Sequence, residues 1–169
     1  ERESDNGAES SYYQALDPPY ECRNGPVRYI KELLLVKGIS PQLLLGKGKE
    51  KGLADYITVY GGDGKININT ADSLVIKSLD PLIGDELAEK VHAFRIDEEN
   101  EDQLSNPGWY KQVASWPGDI VLNEKLLTTQ STFFLIKSTG KSDTLFRRVT
   151  AVVNRIDKNT LKVLSRKVE

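Results

Sequence analysis

Residues 65–84 read KININTADSLVIKSLDPLIG, and their reading decides the fold. Ile66 and Ile68 alternate with Asn67 and Asn69, the period of a short strand with isoleucines on one face and amides on the other. Thr70 follows where a helix N-cap belongs, with Asp72 in the expected first turn and an apolar run behind it. The asparagine side chains can bond nearby backbone and tie the turn. The segment therefore predicts a strand-to-helix junction.

Outward from this junction the pattern is helical on both sides. A helix of about ten residues is expected behind Thr70, with Leu74, Val75 and Leu79 on one side. GDELAEKVHAFR places Leu87, Ala88, Val91 and Phe94 on the stripe of a second helix. Upstream, Ile30, Leu33, Leu34 and Leu35 give an apolar helical face and Gly38 can end it. Ser40 and Pro41 then start another helix as N-cap and first helical residue. A short helix is expected around residues 8–16, a lysine–glycine loop at 46–52, a short strand at 56–60 and a turn-rich acidic stretch after residue 96. From residue 130 the period changes: STFFLIKS, FRRVTAVVNRI and TLKVLSRKV are β-rich, with IDKN as the turn between the last two. Helices first and an antiparallel sheet last make the fold class α+β. The expected divisions are a polar N-terminal segment 1–26, a helical domain 27–129 and a β-sheet 130–169.

Composition narrows the function. The 169 residues are 38% hydrophobic and 28% charged with a net charge of −2, a globular composition without the basic excess of a duplex-binding domain. One cysteine, Cys22, excludes an internal disulfide and a thiolate zinc site. No apolar run reaches the ~18 residues of a membrane helix. The single histidine, His92, lies beside an apolar stripe, and no nucleophile or base adjoins the Asn67–Asn69 pair, so no enzyme is expected. GKGKEKG lacks the Gly-Lys-Ser/Thr ending of a phosphate loop. Residues 70–95 resemble a helix-hairpin-helix, and LLVKGISPQLLL repeats the outline. A competence-type nucleic-acid binder is therefore the alternative reading, opposed by Asp85 and Glu86 at the helix start where a phosphate would sit.

A set of motifs in order carries a resemblance: Gly7, Ala8, Glu9 and Tyr12; Asn24 and Pro26; Glu32 and Leu33; Lys65, Asn67, Asn69, Thr70 and Ala71; and Ser131 with Phe134. The chain resembles the K-type minor pseudopilins of type II secretion systems (general secretion pathway protein K). The resemblance implies a helical domain, SAM-like or helix-hairpin-helix-like, inserted into a pilin-like fold that ends in an antiparallel sheet. It implies a place at the pseudopilus tip, with I- and J-type and also H-type pseudopilins as partners, in the export of folded proteins across the outer membrane. It also implies a position on the periplasmic face of the inner membrane, through an N-terminal helix absent from this chain. Some members bind calcium in the helical part, which points to Asp5 and Glu9 as metal ligands.

Overall fold

A computed structural model describes residues 7–169. The chain forms two compact units, Glu1–Val59 and Tyr60–Glu169. The division falls inside the stretch 27–129 that was expected to be one helical domain.

The first unit is built on tyrosines. Helix α1 (Ser10–Gln14) buries Tyr13. Its ring lies 5.2 Å from that of Tyr20, and its hydroxyl accepts the Lys37 amide at 3.2 Å. Tyr20 Oη donates to Leu35 O at 2.6 Å. The polar N-terminal segment is thus fastened to the 3₁₀ helix Ile30–Leu35, which takes the place of the expected α-helix. The eleven residues between Pro26 and Gly38 leave little length for α-helical nucleation. Helix α2 (Pro41–Leu45) starts as the sequence indicates: the Ser40 side chain accepts the Leu43 amide at 3.1 Å, and Leu44 is fully buried.

The loop after α2 is closed at its neck. Gly46 has φ +76, and a Cβ there would stand 2.0 Å from Glu50 O. A Cβ on Gly52 would stand 2.3 Å from Gly46 N and 2.4 Å from Leu44 O. The two glycines let the backbone pass itself at contact distance, which is their reason in this sequence. The expected strand at 56–60 is absent. Residues Leu53–Asp55 form a 3₁₀ turn, with the Asp55 carboxylate accepting the Gly52 amide at 3.0 Å, and no neighbouring strand offers a ladder to residues 56–60.

The second unit joins a helical core to a sheet. Strand β1 (Ile66–Asn67) pairs in parallel with β2 (Leu127–Thr128). Helix α3 (Ser73–Lys77) has five residues rather than about ten, because Asp80-Pro81 follows before another turn can form. It buries Ile76 while Leu74 faces solvent, so of the expected Leu74–Val75–Leu79 side Leu79 packs against the core and Leu74 does not. Helix α4 (Asp85–Ile96) buries Ala88 and Val91 and packs Leu87 and Phe94 against the core as its pattern requires. The stretch expected to be a loop supplies the two largest core side chains, Trp109 and Tyr110, from a 3₁₀ turn. Tyr110 Oη takes the Leu122 amide at 3.1 Å, and Trp116 Nε1 donates to Ile120 O at 2.9 Å.

Strands β3 (Phe133–Ser142), β4 (Leu145–Arg155) and β5 (Leu161–Val168) form an antiparallel sheet in that order. A two-residue turn with Asp143 at φ +48 joins the first pair, and β4–β5 carries a bulge at Val152/Val153. The Ile156 amide donates to Thr160 O at 3.0 Å and closes the IDKN turn read from the sequence.

Candidate functional site: the asparagine clasp and the open sheet face

The motif residues 65–71 form a clasp whose reach exceeds the nearby backbone. Asn67 Oδ1 accepts the Asn69 amide at 3.0 Å, the bond expected of a turn asparagine. Its Nδ2 donates to Ser131 Oγ at 2.8 Å. Asn69 does more: Nδ2 donates to Leu104 O at 2.9 Å and to Thr129 O at 3.4 Å, and Oδ1 accepts Trp109 Nε1 at 2.7 Å. Parallel pairing of β1 with β2 makes this possible, because it sets the chain after Asn67 beside the chain after Thr128. Between the amides, Ile68 is buried and its N–H donates to Thr128 O at 3.0 Å.

Thr70 is exposed and does not cap the helix. Asp72 is the N-cap, accepting the Leu74 amide at 3.0 Å, because the Thr70 and Ala71 amides already bond Asn67 O in a tight turn. Ala71 contributes its carbonyl, which accepts Arg95 Nη1 at 2.7 Å. Burial pulls the Arg95 guanidinium below its ordinary range, partly offset by the Asp72 charge. His92 is exposed, with Nδ1 3.2 Å from Arg95 Nη2. Lys65 is an exposed flank whose amide is held by Asp63 at 3.1 Å.

Both amide side chains are thus engaged by protein groups. The clasp joins the helical core to the head of the sheet. Ser131, bonded to Asn67, also accepts Arg155 Nη2 through its carbonyl at 2.8 Å, and that guanidinium lies 5.0 Å from the Phe134 ring. Two motif groups far apart in sequence meet here. Asn69→Ala is expected to destabilise the second unit by about 2–3 kcal/mol, since it leaves the Trp109 N–H and the Leu104 carbonyl without a partner. A urea unfolding curve measures this, and a loss under about 0.5 kcal/mol would contradict the clasp.

The other motif residues meet in the first unit. Glu32 Oε2 accepts Arg23 Nη1 at 2.6 Å, and Oε1 accepts the Tyr29 amide at 3.2 Å, capping the 3₁₀ helix. Burial opposes the charge on Glu32, but the Arg23 bond and the Arg28 and Tyr29 amides outweigh it and hold the carboxyl below its ordinary range. Asn24 takes φ +47, a left-handed turn that asparagine tolerates. Glu9 precedes α1 as its N-cap residue, half-buried. Asp5 lies outside the described residues. Among the described residues no three Asp, Glu, His or Cys side chains stand together as a metal site. The hairpin between α3 and α4 presents Asp85 and Glu86 at the α4 N-terminus, and Asp85 is paired with Lys77 at 2.6 Å. Carboxylates thus occupy the place a phosphate would need.

The sheet is the other candidate surface. Directly paired residues share a face, so Phe134, Ile136, Val149, Val153, Leu161 and Val163 stand on one side. At the strand ends this face is open: Leu145 is 75% exposed and Leu161 63%. Arg147, Arg155 and Arg166 share this face, so its exposed apolar side chains alternate with cations.

Comparison with known proteins matches this frame. Residues 1–60 match the family model of type II secretion system (T2SS), protein K. No curated protein sequence matches the chain. Among solved structures, a chain of the crystal structure of the GspK-GspI-GspJ complex from the enterotoxigenic Escherichia coli type 2 secretion system superposes with a TM-score of 0.55 at 20% identity. The match covers 98% of this chain and 56% of the solved one. At that identity the likeness speaks for the fold, a helical part ending in a pilin-like sheet. Residues 1–60 thus match the type II secretion protein K family model, and nearly the whole chain shares its fold with a chain of the GspK-GspI-GspJ complex.

Proposed function

We propose that the chain acts as a minor pseudopilin at the tip of the type II secretion pseudopilus. There it joins other minor pseudopilins to start the assembly that exports folded proteins. The observation that supports this most directly is the open apolar face of the β3–β5 sheet in a chain matched to protein K. An apolar helix laid across that face would bury several Leu, Val and Phe side chains, each worth about 1.5–3 kcal/mol when fully covered. In this reading the helix is the N-terminal one that the resemblance implies, and it anchors the protein on the periplasmic face of the inner membrane. No helix among the described residues is long and apolar enough to cross a membrane.

The solved complex joins GspK with GspI and GspJ, so the I and J types are the first partners to test. Calorimetric titration of this chain, and of a longer chain carrying the helix, against the cognate I–J pair is expected to give saturable binding. Absence of binding by both would overturn the reading. Calcium at Asp5 and Glu9 rests on the resemblance, since a cation of that type takes six to eight oxygens and Glu9 alone is one carboxylate. If calcium is held, a chelator lowers the melting temperature, and unchanged melts remove calcium from the reading.

A further inference from the structure

The reverse of the sheet carries five of the eight cations on these strands, Lys137, Lys141, Arg148, Lys162 and Lys167, against Arg147, Arg155 and Arg166 on the face of Phe134. Residues 130–169 carry nine Lys and Arg against three Asp and Glu, whereas the whole chain has 23 and 25. Lys137 pairs with Thr150, which pairs with Lys167, so the three form one row across the strands. Arg148 opposite Thr139 and Lys141 opposite Phe146 extend it toward the β3–β4 turn, and Lys162 opposite Asn154 lies at the other end. Within one face, then, cations stand on all three strands, with Thr139, Thr150, Asn154 and Ser165 between them and Phe133, Leu135, Phe146 and Val152 on the same side.

Lys167 is paired with Glu169, whose carboxyl the Arg148 charge also helps hold below its ordinary range. Lys137, Lys141 and Lys162 make no ion pair or side-chain hydrogen bond among the described residues, and Arg148 makes none within contact distance. All four are exposed. Strands about 4.8 Å apart hold their positive charges together on a rigid frame, which costs repulsion until an anionic surface covers it.

We propose that this cation-rich face of the β3–β5 sheet docks an acidic protein surface on a neighbouring pseudopilin. The inference rests on the functional reading above and deepens it by assigning that partner a face and a charge. Two observations favour a protein over a lipid bilayer. Thr139, Thr150, Asn154 and Ser165 lie among the cations, where they can exchange directional hydrogen bonds with carboxylates and backbone, as a polar interface does. The chain as a whole has a net charge of −2, so an extended anionic plane would repel much of what the basic face attracts. A protein partner meets one face only, and the surrounding acidic surface steers it there.

The test uses the full chain titrated with the cognate I–J pair in low salt. The double variant Lys137→Glu/Arg148→Glu should weaken binding about tenfold or more and flatten its salt dependence. Lys47→Glu/Lys49→Glu in the first unit changes net charge equally and should leave affinity within about twofold. Lys141→Glu/Lys162→Glu, at the ends of the same face, provides the second reversal should the first fold poorly by circular dichroism. Equal losses for the face and control variants, or no loss for either face variant, would overturn the proposal and leave the functional reading standing. No binding by the wild-type chain would overturn both. Wild-type binding to phosphatidylglycerol vesicles that the reversal abolishes, with I–J binding intact, would replace the proposal with a lipid contact.

Discussion

Trp109→Ala is expected to lower the unfolding free energy of the second unit by about 3–5 kcal/mol, the range for removing a buried tryptophan. The ring is 2% exposed and stacks on Phe94 with centroids 5.2 Å apart and planes 3° from parallel. Its Nε1 donates to Asn69 Oδ1 at 2.7 Å, so the substitution opens a cavity and also orphans an amide oxygen at the clasp. Against a typical domain stability of about 5–15 kcal/mol, that is a large share. Trp109→Phe separates the two effects. It keeps most of the stacking surface and loses the hydrogen bond, so its cost should fall to about 1–3 kcal/mol. Urea unfolding measures both, and a Trp109→Ala loss below about 1 kcal/mol would mean that the ring is not the centre of this core.

Gly52→Ala is the second large effect, expected to cost about 3 kcal/mol or more through overpacking. Gly52 has an ordinary φ of −101, so the penalty is steric. The new methyl would meet three backbone atoms of residues 44–46 at 2.3–2.5 Å, and backbone cannot turn aside as a side-chain tip can. Relief requires opening the neck of the loop and shifting Leu44, the fully buried residue of that helix. Gly48→Ala is the contrast: its φ is +65 with open space around it, so only the left-handed backbone term of about 1–2 kcal/mol applies. Faster tryptic cleavage at Lys47, Lys49 and Lys51 in Gly52→Ala than in Gly48→Ala is the expected readout. Equal rates would contradict the pinched neck.

The sheet was readable because β-rich segments and the IDKN turn are local signals, and the register follows from the turns. Helix α4 was readable for the same reason, with its apolar residues falling on one stripe. The short elements misled. Asp72 rather than Thr70 caps α3 because the Thr70 amide is drawn into the turn on Asn67 O, a competition that spacing alone does not resolve. The strand expected at 56–60 failed because β-propensity gives no ladder without a partner. Trp109 and Tyr110 were hidden in a stretch without periodicity. Two adjacent aromatics after Pro107-Gly108 in polar surroundings were the available signal that the core passes there.

The spacing of the asparagines predicts a turn device, and one of their bonds is of that kind. The others reach Leu104, Trp109, Thr129 and Ser131, partners 35 to 64 residues away. Nothing local in sequence points to such partners. Their order along the chain was nevertheless legible as a family pattern, which explains how a motif can identify a protein before its physical role is visible.

The parallel pairing of β1 with β2 has a kinetic consequence. Asn69 and Thr129 are 60 residues apart, and closing a flexible loop of that size costs about 3–4 kcal/mol of chain entropy before any contact returns it. Two residue pairs of ladder cannot meet that cost alone. The helices and the Trp109 turn between them must gather first, shortening the effective loop, and the junction then locks as a late, non-local event. A stretch that looks like the start of the fold in the sequence would be among its last parts to form in time.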